Sequence, residues 1–360
     1  MELEQYSWLL MKKNMEEKGA KKEPKGAKRT EISQIGKHEL MRRLFEGTGY
    51  VNSNLHKIAL PGSVVMSNSQ LMLEGVDFDL VYTPLKHLGY KSALLAIGPL
   101  YANCYNPHSL SYTIGISARF AAEDIVEFWT GVVAAAKEHK IESLSLELKA
   151  SMTGLSVGIA SQGVQKKRVL DTVPQADKNA LICITGNVGA AYMGLHVLER
   201  EKIMFNRLTK EEASKYVQPD LSKYKYILSQ YLSPEINPKT TSQFVEAKLL
   251  PAAGQFITNG LASAVKQLCS ELDCGAKIYL EKIPIASQTM DMAKEINMDA
   301  VTAALNGGDD YKFLFVIPIS EHEKFHKEFP NVDIIGHLCA KEAGAALVTP
   351  EGGMIEIKAL

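Results

Sequence analysis

The sequence predicts a two-domain α/β (α+β) protein, and three observations lead there. Ile125, Phe128, Trp129, Val132, Val133 and Ala136 recur at helical spacing. Leu110, Tyr112, Ile114 and Ile116 alternate, as a half-buried strand requires. Two strand-to-helix transitions run through glycine, at Leu181–Leu195 and at Gly254–Leu261. With 360 residues, 46% hydrophobic and 22% charged, the chain is long enough for two packed cores.

The net charge of −1 gives no global field toward nucleic acid or a membrane. No zinc-ligand spacing or RNA-binding signature is present. No apolar run reaches the ~20 residues of a membrane span, and Glu2 and Glu4 make a poor signal peptide. The five cysteines (Cys104, Cys183, Cys269, Cys274, Cys339) are dispersed without a Cys-x-x-Cys, which suggests reduced thiols and the cytoplasm.

Residues 1–29 form a separate zone of lysines interleaved with Glu16, Glu17 and Glu23 and broken by Gly19, Pro24 and Gly26. A short helix over Tyr6–Met15 and a flexible linker are expected, either a partner-docking arm or a frayed terminus. A first domain is expected over 30–165. Its elements are a helix from Thr30 through Leu44, a strand at Ser63–Ser67, and a helix capped by Thr83 with Pro84 first, running to about Ala96. The strand at 110–116, the helix at 125–136 and strands at Ser143–Leu148 and Leu155–Ala160 complete it.

A polar stretch over 165–179 marks the boundary, and a second domain is expected over 171–360. It opens with the strand Leu181–Thr185 and the turn Gly186-Asn187-Val188-Gly189, which either offers backbone N–H groups to an anion or lets helix and strand pack closely. A polar, tyrosine-rich segment over about Phe205–Pro238 is expected to be a helix with long loops, and Phe244, Ala247, Lys248 and Leu250 lie on another helix. After the second glycine turn come a helix to Leu272, a strand at Ala276–Leu280, and helices at Ser287–Ile296 and Ala300–Leu305. Strands at Phe313–Ile317 and Val332–Ile335 and a hairpin through Gly352-Gly353 finish the chain. Between them lies Gly307-Gly308-Asp309-Asp310-Tyr311. Its aspartates either hold a cation or a polar ligand, or simply turn the chain before a buried strand.

Five stretches in order resemble the thiamine-monophosphate kinase family: Leu73–Leu80, Pro84–Lys91, Gly186–Leu195, Ile257–Leu261 and Gly307–Tyr311. The resemblance runs from about Thr30 to Lys358. It implies the aminoimidazole-ribonucleotide-synthase-like fold, usually a homodimer whose N-terminal domains pair their sheets into a shared barrel. It also implies ATP, magnesium, and phosphoryl transfer to thiamine monophosphate giving thiamine diphosphate. By the same resemblance Gly186, Asn187, Gly189, Asn259 and Gly260 would face the nucleotide. Gly307, Gly308, Asp310 and Tyr311 would face the substrate, and Glu147 and Asp309 would be residual metal ligands.

The departures from the family are specific. The early Gly-Asp-Asp-Ala-Ala motif has no counterpart, and no Asp or Glu lies between Glu46 and Glu74. Thr-Thr-Asp reads Asn68-Ser69-Gln70, Asn-x-Ser-Asp reads Ala96-Ile97-Gly98-Pro99, and Gly-Gly-Asp-Thr reads Ser145-Leu146-Glu147-Leu148. Ser-Gly-Asp reads Thr185-Gly186-Asn187, and Asp-Ile-Ser-Asp-Gly reads Phe256-Ile257-Thr258-Asn259-Gly260. An arginine-glycine pair is replaced by Val173-Pro174-Gln175. Only Glu147, Asp309 and Asp310 keep an acid at a family acidic position. Magnesium needs hard oxygen ligands, and Pro99 and Phe256 have none in their side chains. The segment Val81–Ala122 also lacks acids but carries Lys86, Lys91 and Arg119, bases that could attract a small phosphorylated ligand. Three readings result: a catalytically impaired or non-catalytic homologue, an active kinase using Glu147, Asp309 and Asp310, or a dimeric scaffold docking a partner through residues 1–29. No catalytic residue is assigned.

Overall fold

The computed structural model describes residues 55–208 and 220–358. The helices expected at 6–15 and 30–44 and the linker between them lie outside the described residues. Elements are numbered here along the described chain.

The first sheet has five strands in the order β1-β2-β5-β3-β4. Strands β1 (Leu55–Leu60) and β2 (Ser63–Leu73) form a hairpin across Pro61-Gly62. Proline presets the turn and glycine takes the positive φ of 68° that it needs. Strand β2 pairs along its whole length with β5 (Leu155–Lys166), so both are longer than their apolar runs suggest. Strand β5 continues to β3 (Asn106–Ile116), and β4 (Ser143–Ala150) adds in parallel as an edge. Leu110, Tyr112 and Ile114 alternate inward as expected.

Two helices cover the inward face. Helix α1 (Leu85–Ala102) is capped by Pro84 itself; Thr83 makes no capping bond, because Pro84 already holds the extended geometry the cap requires. The helix runs past Ala96 and through Pro99 to a cap at Asn103. Helix α2 (Ala122–Glu138) sets Phe128 and Trp129 edge-on to Tyr112, at ring separations of 6.2 and 5.6 Å. The two helices touch backbone to backbone. A Cβ at Gly89 would sit 1.9 Å from the Phe128 carbonyl oxygen, and one at Gly131 1.9 Å from that of Lys86. The stripe on α2 is only partly core. Ile125, Trp129 and Val133 join Leu146 and Leu148 of β4 in lining an apolar groove of about 810 Å³.

The second sheet has seven strands in the order β12-β11-β8-β10-β6-β9-β7. Between the sheets run β5's end at Lys166, a short helix α3 (Lys167–Leu170), and β6 (Leu181–Thr185). Then come α4 (Ala190–Asn206), a 3-10 turn at Ser222–Tyr224, α5 (Lys225–Leu232) and α6 (Thr240–Ala247). In the segment expected to be a helix with long loops, α4 ends at Asn206 and α5 is the α-helix among the described residues. Helix α6 ends earlier than expected, because Lys248 takes a left-handed φ of 53°. Next are β7 (Ala253–Ile257), α7 (Leu261–Leu272), β8 (Gly275–Tyr279), α8 (Ser287–Glu295), α9 (Ala300–Asn306) and β9 (Lys312–Ile317). Helix α10 (His322–Glu328), which no periodicity announced, precedes β10 (Val332–Cys339), and the hairpin β11 (Ala345–Val348) with β12 (Met354–Glu356) closes the chain.

Strand β9 is buried on both faces. Phe313, Phe315 and Ile317 point into the core shared with α1 and the first sheet, while Leu314 and Val316 point into a second core under α7. This central strand carries the Gly307–Tyr311 turn at its start.

The helix crossing gives the first prediction. Gly131→Ala should destabilise the protein by about 2 kcal/mol or more, because neither facing backbone can retreat. Thr130→Ala, exposed on the next position, should change stability by less than about 1 kcal/mol. Urea unfolding of both variants checks the difference.

Candidate functional site

Three turns interlock where the second sheet meets its helices. The first joins β6 to α4 (185–189), the second β7 to α7 (258–260), and the third α9 to β9 (306–311). Tyr311 N–H donates to the Ile257 carbonyl at 2.9 Å and Asp309 N–H to that of Thr258 at 2.7 Å. Thr185 Oγ1 accepts from Phe313 N–H at 2.9 Å. Between these bonds there is no room for side chains. A Cβ would lie 2.9 Å from Ala304 N at Gly189 and 2.3 Å from Leu305 O at Gly260. It would lie 2.4 Å from Ala303 O at Gly307 and 2.7 Å from Thr258 O at Gly308. Gly186 differs: it is exposed, with only the Lys312 side chain 3.4 Å away. Asp309 and Tyr311 hold φ of 59° and 53°, a left-handed conformation unusual for non-glycine residues and maintained by the surrounding bonds.

At the centre lies Asp310, 2% exposed. Its Oδ1 accepts from Gly189 N–H at 2.7 Å, at the first turn of α4, and its Oδ2 has no partner among the described residues. The Gly189 amide at this turn is therefore already engaged by the chain's own carboxyl, not left open for a phosphate. Burial pushes the Asp310 carboxyl well above the usual carboxylate range, opposed by the Gly189 bond and by Lys312. Burial likewise lowers Lys312, whose ammonium donates to Gln230 Oε1 at 3.1 Å.

Asp309 is one third exposed and pairs with the buried ammonium of Lys91 at 3.0 Å. That ammonium also lies 4.0 Å from the Tyr231 ring centre and 5.5 Å from that of Tyr311. Tyr311 is buried, and burial raises its hydroxyl well above the usual range. Asn187 donates to the Tyr226 hydroxyl at 3.3 Å, and Asn259 is exposed. Glu147 stands apart on the β4 edge, exposed and paired with Lys149 at 2.7 Å.

Several positions where the resemblance places acids converge nearby as neutral groups. Asn68 is buried and donates to the Ala96 carbonyl at 2.9 Å, while Gln70 donates to Asn68 Oδ1 at 3.4 Å. The Phe256 ring covers Gly98, where a Cβ would meet its Cε1 at 2.3 Å, and stands edge-on to Tyr311 at 5.3 Å. Among the described residues no three His, Cys, Asp or Glu side chains gather to hold a metal. Two of the remaining acids already face lysines. The described donor set therefore does not fit magnesium, which requires several hard oxygens in octahedral array.

No family model matches the chain. Among curated proteins it is 23% identical over 294 residues to the thiamine-monophosphate kinase of Buchnera aphidicola from Acyrthosiphon pisum, covering 80% of this chain and 83% of that one. It is 22% identical over 327 residues to the Pyrococcus abyssi enzyme of the same name, covering 90% and 91%. The chain is a relative of the thiamine-monophosphate kinases. Solved structures agree on the fold. The Aquifex aeolicus thiamine-monophosphate kinase superposes with a TM-score of 0.71 at 17% identity, covering 91% of this chain and 100% of that one. A thiamine-monophosphate kinase complex with AMPPCP and TMP gives 0.75 at 18%, covering 92% and 98%. The hydrogenase maturation protein HypE in complex with ATP gives 0.57 at 13%, covering 91% and 93%. The architecture is therefore that of the thiamine-monophosphate kinases, of the aminoimidazole-ribonucleotide-synthase-like type.

Sequence reasoning named Asp309, Asp310 and Tyr311 but missed Gln230 and Lys312, and gave Lys91 no partner. A separation of 218 residues hides the Lys91–Asp309 pair; the only signal was a lysine in an acid-free helix.

The buried carboxyl makes stability depend on pH with a defined sign. From about pH 4 upward the unfolded chain releases the Asp310 proton, whereas the native state retains it to higher pH. The native state then binds more protons, so this contribution to stability falls as pH rises through that window. Asp310→Asn keeps an oxygen for Gly189 N–H and does not titrate. Its stability relative to wild type should therefore rise with pH above about 4. Unfolding free energies of both proteins across a pH series test this; a difference that stays constant would refute it.

Proposed function

We propose that this chain is a thiamine-monophosphate kinase homologue whose magnesium and ATP-phosphate site has eroded, leaving it catalytically impaired or non-catalytic. The observation that carries the reading is the Phe256 ring packed over Gly98, beside Pro99. Phe256 stands at a position the family gives to an acid and covers the residue next to Pro99, which stands at another, and neither side chain has an oxygen to offer. The Lys91–Asp309 pair supports it, because an ammonium 3.0 Å away already offsets the charge a metal would use.

Phosphoryl transfer rests on positioning and on electrostatic stabilisation of the transferring group. Loss of one preorganised contact can lower a rate about a hundred- to a thousandfold, and several positions are altered here. Gly186, Asn187 and Lys312 still present an exposed turn with a cation beside it. Weak, magnesium-independent binding of a small phosphorylated ligand is the residual activity this arrangement supports. An active kinase is the second reading. It is favoured by Asp310 Oδ2, a buried oxygen without a described partner that a cation could ligate.

One assay separates the two. Purified protein with ATP and thiamine monophosphate should form no measurable thiamine diphosphate at any magnesium concentration. Magnesium-dependent turnover abolished by Glu147→Ala or Asp309→Ala would restore the active reading. Calorimetry with ATP should give the same weak response with and without magnesium.

The same reading takes the polar stretch over 165–179 as the boundary between two domains and makes the protein a homodimer through the first sheet. Its outer face is built from Ser69, Leu71, Ser111, Thr113, Gly158 and Ala160, small or apolar groups that are mostly exposed in the single chain. Such a face suits a second sheet better than water. Ala160→Arg at its centre should convert the dimer to monomer. Light scattering checks it, and a wild-type mass near 39.6 kDa at micromolar concentration would count against the dimer.

A further inference from the structure

Three of the five cysteines, dispersed in sequence, meet in space outside the site described above. Cys269 lies in the last turn of α7. The helix ends at Asp273, whose φ of 51° is left-handed, and Cys274 N–H then donates to the Cys269 carbonyl at 3.1 Å. This six-residue closure folds Cys274 back over the turn that carries Cys269. The two thiols lie near enough that each shifts the other's proton affinity. Cys339 ends β10 directly opposite Gly275, and a Cβ at Gly275 would lie 3.0 Å from Cys339 Sγ. All three thiols are partly exposed, whereas Cys104 and Cys183 are buried.

We propose that Cys269 and Cys274 form a dithiol pair that closes to an intrachain disulfide under thiol-specific oxidants, with Cys339 as the neighbouring thiol. The 3.1 Å backbone bond from Cys274 to Cys269 brings the two residues close across the turn, the proximity that an S–S bond requires, and partial exposure admits a small oxidant. In the step, two S–H bonds break and one S–S bond forms. With diamide as oxidant, both hydrogens and both electrons pass to its N=N bond, which becomes a hydrazine. Burial holds the Cys269 thiol up, to about 12, and also raises that of Cys274, so the closure is slow at neutral pH and dithiothreitol reverses it.

The test uses the full chain, folded, treated with diamide and then alkylated and digested with trypsin. Both cysteines fall in the peptide Gln267–Lys277, and Cys339 falls in Glu328–Lys341. The expected result is a Gln267–Lys277 peptide lacking alkyl groups and lighter by two hydrogens, with Cys339 still alkylated. Cys274→Ser should abolish this product and Cys339→Ser should leave it. A Gln267–Lys277 peptide carrying two alkyl groups after oxidation would overturn the proposal, as would a cross-link between the two peptides in its place.

Discussion

The bond between Asp310 Oδ1 and Gly189 N–H fastens three turns that no side chain separates. It lies in a region where the backbones of 185–189, 258–260 and 306–311 approach within contact of one another's absent Cβ atoms. Glycine is required there by the fold before any ligand is considered. The motifs through which this chain resembles its relatives are therefore largely packing devices. They hold β6, β7 and β9 against α4, α7 and α9, and a sequence can keep them while its chemistry changes. Likeness in those motifs argues for the architecture, and the activity has to be argued from the polar groups around them.

Those polar groups are arranged to satisfy one another. Lys91 reaches Asp309 from α1, and the rings of Tyr231 and Tyr311 shield the ammonium. Lys312 runs across Gly186 and lies near Asp310. Asn68 and Ser161 both donate to the Ala96 carbonyl, at 2.9 and 2.7 Å, close to the level where α1 passes Gly98 and Pro99. An array of internal donors and cations that leaves few free carboxylates has little attraction for an external dication. It also explains how α1 keeps a buried lysine, since a buried charge persists when paired and hydrogen-bonded.

Much of the fold was legible because periodicity reports burial directly. The alternation at 110–116 and the compact strand Leu181–Thr185 occupy the faces their patterns imply, while the stripe on α2 reaches the core at Phe128, Val132 and Ala136 and leaves Ile125, Trp129 and Val133 along a groove. Strand β9 was legible as an apolar run, but its double-sided burial was not. What sequence reasoning missed depends on long-range pairing. The extension of β2 to Leu73 comes from its ladder with β5, not from its own polar residues Ser67, Asn68, Ser69 and Gln70. Thr83 and Pro84 offer two ways to start one helix, and local pattern alone does not choose between them. Within the site, Asp309, Asp310 and Tyr311 could be read from their glycine turn. Their partners Lys91 and Gly189 come from distant segments, and the gathering of three cysteines follows only from the register of β10 against β8.

The positions that depart from the family pattern also bear on the charge balance of this region. Two carboxylates brought within about 4 Å at a partly screened site repel by about 4 kcal/mol, and each further acid adds to that. A site built from many aspartates therefore leans on bound cations to offset its own charge. Here Gln70, Pro99 and Phe256 carry no charge, and Phe256 adds apolar contact with Gly98, Tyr311 and Phe313. Each replacement removes a repulsion, and some add a packed surface in its place. The region around Phe256 belongs to the core that joins α1 to β7 and β9, where burial and hydrogen bonding within the chain contribute to stability.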